Sequence, residues 1–347
     1  MTSKTNKNTI LTYDNTNVAH TSKKASRIKD WTKYNKSLKN RSNLTLLVSP
    51  KVFLPAKPTK QVGRPKDYSD ELILFLAQIR EILQLPLRQT MGLAESIVIL
   101  SGLKLPQYNT LCTRMQKLEV HQSIKRQSKE PVCLLIDSTG LKTKGEGEWK
   151  VRKHGAGYRR GWKKLHISVD YDTQTITAHE ISSERVVDQE MATALIDTTL
   201  KNGSNVTQLL GDGAYNSHKL YQEVEAERKI SLISTPRKNA KLHVRFATTH
   251  PGRGGSGGKY ADFVDEVGWE TQNRYLRDCI HLGWEEWKRQ VGYHKRSLAE
   301  TAMWRLKSAF SDKLKSKSSE NQAVETALRV SILNHWTALD QGNYQKT

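Results

Sequence analysis

Tyr293, Arg296, Glu300 and Lys307 stand in the stretch YHKRSLAETAMWRLK at the spacing Y-x2-R-x3-E-x6-K. On a helix turning about 100° per residue, all four fall within roughly 60° of one another. A carboxylate flanked by an aromatic ring and two cations on one stripe suits a face that meets a metal ion and phosphates together. The plainer reading is an i,i+4 ion pair between Arg296 and Glu300 with two bystanders. Ser297 and Glu300 also have the capping-box spacing. A helix that began at Ser297 would leave Tyr293 and Arg296 ahead of it.

Two further carboxylates share one context. Asp137 follows the apolar run PVCLLI and precedes Ser-Thr-Gly, and Asp212 follows VTQLLG and precedes Gly-Ala-Tyr. Each reads as the end of a buried strand leading into a turn, where α/β folds gather their sites. A single such Asp is most often a turn or cap residue; it is the matching pair that points to function. Two neighbouring carboxylates repel unless protonated or bridged by cations. With Glu300 they would make a hard-oxygen cage suited to Mg²⁺ or Mn²⁺. Two ions about 4 Å apart would activate a water or a 3′-hydroxyl and stabilise the leaving oxygen of an in-line phosphoryl displacement.

Between the two aspartates, residues 143–166 carry eight Lys/Arg and two Glu, with Trp149, Tyr158 and Trp162 interleaved. Lys153, Arg159, Arg160, Lys163 and Lys164 in this run are candidate phosphate contacts, since cations interleaved with aromatics suit a nucleic-acid track. Arg237–Asn239 extends the theme.

The composition points the same way. The chain has 347 residues and a formal charge of +21, which implies a polyanionic partner, most simply nucleic acid. Cys112, Cys133 and Cys279 lie far apart, which excludes a zinc finger or a disulfide framework. No run approaches the 18 or so apolar residues of a membrane span, and the first residues lack the apolar core of a signal peptide. The expectation is a cytosolic protein without a membrane partner.

The elements that must position these residues fall into three stretches. Residues 1–66 read as a basic, partly disordered arm with 15 Lys/Arg against two Asp. The arm includes a short helix at Trp31–Leu38 and ends in Gly63-Arg64-Pro65-Lys66, similar to a minor-groove AT-hook element through Arg64. Residues 67–125 read as a helical DNA-binding domain. Its third helix, Gln107–Leu118, would be a helix-turn-helix reader with Arg114 and Lys117 facing outward. Residues 130–340 read as strand, hairpin, helix, strand, helix, strand and then helices, an α/β sheet with mixed pairing. Asp188 is the expected N-cap of the helix DQEMATALIDTTLK, and residues 244–267, with GRGGSGG, form a glycine-rich loop or insertion.

Taken in order, LLIDSTGLK, GEGEWKVRKHGAGYRRGWKKLHISVD, LLGDGAYN and YHKRSLAETAMWRLK resemble the bacterial insertion-sequence DDE transposases. The closest likeness is to the insertion-sequence-five-like group, which carries an N-terminal helical DNA-binding region and a Y-x2-R-x3-E-x6-K box. The resemblance runs from about Trp31 to Asn334. It implies an RNase H-like catalytic core preceded by a helix-turn-helix-like region and followed by helices. Asp137, Asp212 and Glu300 would be the catalytic, metal-binding triad for Mg²⁺ or Mn²⁺, with two ions. Tyr293, Arg296 and Lys307 would contact phosphates near the cleaved end. It further implies double-stranded DNA partners (terminal inverted repeats and target DNA), a homodimer on paired ends, and a bacterial cytoplasmic, nucleoid-associated location. Asn216 stands where the pattern expects Asp. A non-catalytic DNA-binding protein, such as a repressor or a transposase remnant, is the alternative.

Overall fold

The computed structural model describes residues 30–43, 48–56, 66–97, 102–120, 130–143, 153, 161–237, 239–242 and 269–340. Arg64, Arg159, Arg160 and the 244–267 loop, all singled out in the sequence, lie outside the described residues.

At the centre is a five-stranded sheet of order β3-β2-β1-β4-β5, built from β1 (Pro131–Lys142), β2 (Trp162–Asp170), β3 (Ile176–Ser183), β4 (Asn205–Gly211) and β5 (Ser231–Ser234). β2 runs antiparallel to both its neighbours, whereas β1, β4 and β5 are mutually parallel. This order and direction are those of an RNase H-like sheet. The apolar runs of β1 and β4 are continuous because helices cover both faces of the parallel half.

β1 and β2 stay paired from Leu134↔Asp170 to Lys142↔Trp162, while the parallel pairing of β1 with β4 ends at Leu135↔Leu210. Asp137 therefore does not end its strand, in contrast to the turn that Ser-Thr-Gly suggests. The strand continues five residues further because β2 supplies its hydrogen bonds on one side. Asp137 instead lies just beyond the point where its parallel neighbour leaves.

The helix between β3 and β4, α5 (Asp188–Lys201), packs on β2 and β3. Its N-cap is Val187, without a side-chain cap bond. Asp188, expected to cap, sits in the first turn and pairs with Lys164 at 3.1 Å instead. On the sheet's other side, α9 (Ser297–Phe310) packs on β1 and β2, and α10 (Ser319–Asp340) on β3. Asn334 of α10 takes the Ile176 N–H and donates to the Ile176 carbonyl, both at 2.8 Å, fixing α10 to the start of β3.

The N-terminal helices are α1 (Trp31–Arg41), α2 (Asp70–Ile82), α3 (Leu87–Ser96) and α4 (Tyr108–Met115). The 1–66 segment thus contributes a helix, and its α1 lies against α10, with the Trp336 indole donating to the Arg41 carbonyl. Leu72, Ile73, Phe75, Leu76, Ile79, Met91, Leu111 and Met115 form a second apolar core, which Val324 and Leu328 of α10 complete. Further along, Val330, Ile332 and Leu333 of α10 belong to the core around the sheet. One helix therefore serves both cores, each buried aliphatic contributing on the order of 1.5–3 kcal/mol.

A buried ionic cluster marks the junction. Arg329 of α10 pairs with Glu81 of α2 at 3.1 Å and with Glu325 at 2.5 Å, and all three side chains are fully buried. Arg329 also donates to the carbonyls of Ser311 and Lys313, while Glu325 accepts the N–H groups of Lys315 and Ser316. The segment joining α9 to α10 is thereby held from both sides. The same segment closes on β1, where Lys142 N–H donates to the Asp312 carbonyl and Leu314 N–H to the Lys142 carbonyl.

Candidate active site

The register places two of the three candidate carboxylates side by side. β4 stops at Gly211, and the register continued two residues past the last pair, Leu135↔Leu210, brings Asp212 level with Asp137, close enough to raise its carboxyl. Each carboxylate has one oxygen committed to a local N–H. Asp137 Oδ1 accepts from Ser138 at 2.8 Å, and Asp212 Oδ1 accepts from Ala214 at 2.8 Å. The latter bond opens a 3-10 turn, Gly213–Tyr215. One oxygen of each remains for a cation.

The third carboxylate arrives from α9. Ahead of that helix, the short α8 (Trp284–Gln290) gives way through Val291 to Gly292, in the left-handed region at φ 67° where glycine is unstrained. A 3-10 turn, Tyr293–Arg296, then runs straight into α9. Arg296 and Ser297 both have right-handed helical backbone. Ser297 forms no capping box; its hydroxyl donates to the His294 carbonyl at 2.9 Å. The α-helix does begin at Ser297, yet Arg296 is not lost from the face, because the 3-10 turn carries the coil back through it.

Arg296 is the hub of the site. One guanidinium nitrogen bonds the Glu300 carboxylate, and another lies 3.8 Å from Asp137 Oδ2. Tyr293 lies alongside, its ring centre 5.9 Å from the guanidinium and its hydroxyl 3.2 Å from Thr235 Oγ1 at the end of β5. Ser234, the residue before, donates to the Asp212 carbonyl at 2.6 Å. Asn216, just ahead of the one-turn α6 (His218–Tyr221), is a structural link: it donates to the Ser234 carbonyl and accepts from Gln272 of α7 (Trp269–Leu282).

The electrostatics are those of crowded negative charge. Burial pushes the Asp137 carboxyl above its ordinary range. The Ser138 N–H and Arg296 oppose the shift, while Asp212 and Glu300 reinforce it. Among the described residues no three ligands converge into a ready metal cage, since Arg296 lies between Asp137 and Glu300. The donor set nevertheless fits a hard divalent cation: two adjacent carboxylates, each with a spare oxygen, and a third one helical turn beyond the guanidinium. Such a cation would relieve the repulsion that Arg296 only partly offsets.

Lys307 lies two turns along α9, near Asp312, whose carboxyl is held down chiefly by its bond to Lys142 and to a lesser extent by Lys307. Lys163 lies on the Asp137 face of the sheet, opposite Leu141, and Lys153 and Lys117 are exposed. Two expected DNA contacts are engaged internally. Lys164 binds Asp188 and the Val186 carbonyl on the opposite face. Arg114, expected to face outward, pairs with Asp70 and donates to the Tyr68 carbonyl.

Sequence reasoning passed over Tyr215, Thr235 and Trp304. Tyr215 was signalled by its place three residues after Asp212. Trp304, 68% exposed, stands one helical turn after Glu300. Thr235 carries no such signal, because only the fold brings β5 to Tyr293.

Two family models, both described as a transposase DDE domain, match residues 128–335 and 39–146. Among solved structures, the chain is similar to the piggyBac transposase synaptic complex with hairpin DNA, at 12% identity and a TM-score of 0.41 over 92% of this chain and 75% of that one. It is also similar to the Drosophila P element transposase strand transfer complex, at 10% identity and a TM-score of 0.33 over 91% and 89%. The family models, the first of which spans more than half of the chain, carry the assignment. The chain belongs to the transposase DDE-domain family: it is a DNA transposase, an enzyme that cleaves DNA and transfers strands with the help of a divalent metal.

Proposed function

We propose that Asp137, Asp212 and Glu300 are the catalytic, metal-binding triad of an insertion-sequence transposase that acts on the terminal inverted repeats of its own element. The observation that carries this is the register of β1 and β4, which sets Asp137 and Asp212 level, together with Arg296 bonded to Glu300 and facing Asp137. Mg²⁺ or Mn²⁺, as two ions, is the fitting cofactor for an all-carboxylate donor set. When bound it supplies Lewis-acid activation of the attacking oxygen and stabilisation of the leaving oxygen.

The chain's own residues do the rest. Asp137 and Asp212 present their free oxygens from adjacent strands, and the Ser138 and Ala214 N–H groups fix the orientation of each carboxylate. Arg296 exchanges its carboxylates for a phosphate oxygen as DNA enters, a step favoured by the planar fork that suits both. Tyr293, held by Thr235, keeps that guanidinium in place, and Lys307 meets the backbone further along. Lys153, Lys163 and Lys117 add sequence-independent attraction, as do Arg64, Arg159 and Arg160. The N-terminal helices, residues 67–125, form the unit that reads the repeats, and two copies act together on paired ends. The enzyme works in the bacterial cytoplasm, at the nucleoid.

The test uses duplexes carrying the imperfect repeats that flank the gene. Nicking at the repeat boundary with Mg²⁺ or Mn²⁺, and none with Ca²⁺ or chelator, is the expected result. Binding should fall with salt at a log–log slope near −7 if roughly eight phosphates are neutralised. A shallow slope, or cleavage indifferent to metal, contradicts the reading.

A further inference from the structure

Trp304 is 68% exposed, the one large apolar side chain that α9 turns to solvent. Elsewhere in the chain tryptophan rings are packed: Trp287 on Tyr275 and Tyr293, Trp336 on Phe310, Trp269 on His218. The Trp304 ring has no aromatic or cationic partner among the described residues. Nor can α9 roll it under, because Ala299, Ala302, Met303, Leu306 and Phe310 anchor the opposite side of the helix in the core around the sheet. At about 100° per residue, Glu300, Trp304 and Lys307 fall within roughly 60° of one another. Along the axis the indole stands about 6 Å from Glu300 and about 4.5 Å from Lys307. A bulky uncharged ring thus interrupts a stripe that otherwise carries a carboxylate and a cation. An indole offers a metal ion no ligand and a phosphate only one N–H. What it does offer is a broad π face, which suits a nucleobase.

We propose that Trp304 contacts the DNA substrate directly, stacking on a nucleobase beside the phosphate that the site cleaves. This rests on the triad reading above. With bases about 3.4 Å apart along a strand, the 6 Å offset from Glu300 places that base one or two positions from the phosphate at the carboxylates. In an intact duplex each base is already covered on both faces. The indole gains its partner only where a base step opens, and an inserted apolar ring is a common means of opening one. Lys307 on the same stripe then holds the backbone of the opened strand, so that ring and cation grip one nucleotide from two sides. Trp304 needs no partner in the free protein for this role, which accounts for its exposure.

The test is Mg²⁺-dependent nicking of the terminal-repeat duplex by the full-length variants Trp304→Ala and Trp304→Phe. Both should keep the wild-type Tm, because the ring lies outside either core. On the fully paired duplex Trp304→Ala should nick about 5–150-fold more slowly, the loss expected for one stacked base, while Trp304→Phe keeps most of the rate. On a duplex with two unpaired bases at the repeat boundary the alanine variant should return close to the wild-type rate, since the step is already open. Wild-type nicking of the paired duplex by Trp304→Ala overturns the proposal, and so does a loss that unpaired bases leave in place. A variant whose only change is its oligomeric state in sedimentation without DNA also overturns it, and assigns the indole to a second copy of the chain. Glu300→Gln separates the two levels of the argument. If it abolishes nicking of both duplexes while Trp304→Ala is unimpaired, only the role of Trp304 fails. If Glu300→Gln nicks as the wild type does, the triad reading fails and takes the proposal with it.

Discussion

Arg296 bonds the Glu300 carboxylate one helical turn further on, at the mouth of the turn that delivers both. The pair is not a surface ornament of α9, because the same guanidinium faces Asp137 on β1. It spans the gap between helix and sheet and offsets part of the negative charge that Asp137, Asp212 and Glu300 bring together. Arg296 is one of the groups that hold the raised Asp137 carboxyl down, so removing it should push that carboxyl further up. Arg296→Gln should therefore shift the acid limb of the Mn²⁺-binding pH profile to higher pH, since protons compete with metal for the carboxylate. An unmoved limb would mean that the guanidinium does not govern Asp137.

Asp137 should be a burden to the metal-free protein. Its carboxyl is raised in the folded chain, chiefly by burial. A carboxyl raised on folding adds stability below its unfolded pKa and loses it as the pH rises through the folded value. At neutral pH the ionised group is therefore unfavourable unless a cation compensates it. Asp137→Asn, measured by calorimetry at pH 7, should match or exceed the wild-type Tm without metal. It should also lose the rise in Tm that Mg²⁺ gives the wild type. A drop in Tm without metal would argue that the carboxylate is structural.

Gly211 owes its identity to Tyr215. A methyl group there would come within 2.9 Å of the ring, closer than packed carbon atoms allow. Gly211→Ala should cost about 1–3 kcal/mol in urea unfolding, the usual range for overpacking. The displaced turn should also weaken Mn²⁺ binding. Wild-type stability would show that the ring has room to move.

The Arg329 cluster joins the N-terminal helices to the sheet domain. Glu81, raised by burial and by Glu325, depends on Arg329 and Arg80 for its charge. Arg329→Met takes the shared cation from two buried carboxylates and leaves Glu81 with Arg80 alone, a loss of about 3–5 kcal/mol. Unfolding should become easier at pH 7 and partly recover at pH 5, the direction set by the raised Glu81 carboxyl. The check is a urea midpoint at each pH; equal losses at both would place the cost in packing instead.

The sheet was legible in the sequence because its parallel strands are unbroken apolar runs, and Asp137, Asp212 and Glu300 stood out by context and spacing. What the sequence withheld depends on partners far along the chain. That β1 continues past Asp137 follows from its pairing with β2, which no local signal in Ser-Thr-Gly announces. Arg114 turns inward because Asp70, 44 residues earlier, lies beside it. Lys164 sits on the α5 face because β-strand alternation carries it there, away from its neighbour Lys163. The Ser297 cap pattern is overridden by a 3-10 turn whose start is set by Gly292, not by the serine.

The most direct measurement is nicking and binding by the Asp137→Ala variant on a duplex carrying the element's terminal repeat. The account predicts that Mg²⁺-dependent cleavage disappears while the affinity for the repeat, measured in Ca²⁺ or without metal, stays close to wild type. Cleavage that survives the substitution would contradict it, and the active site would have to be sought elsewhere in the chain.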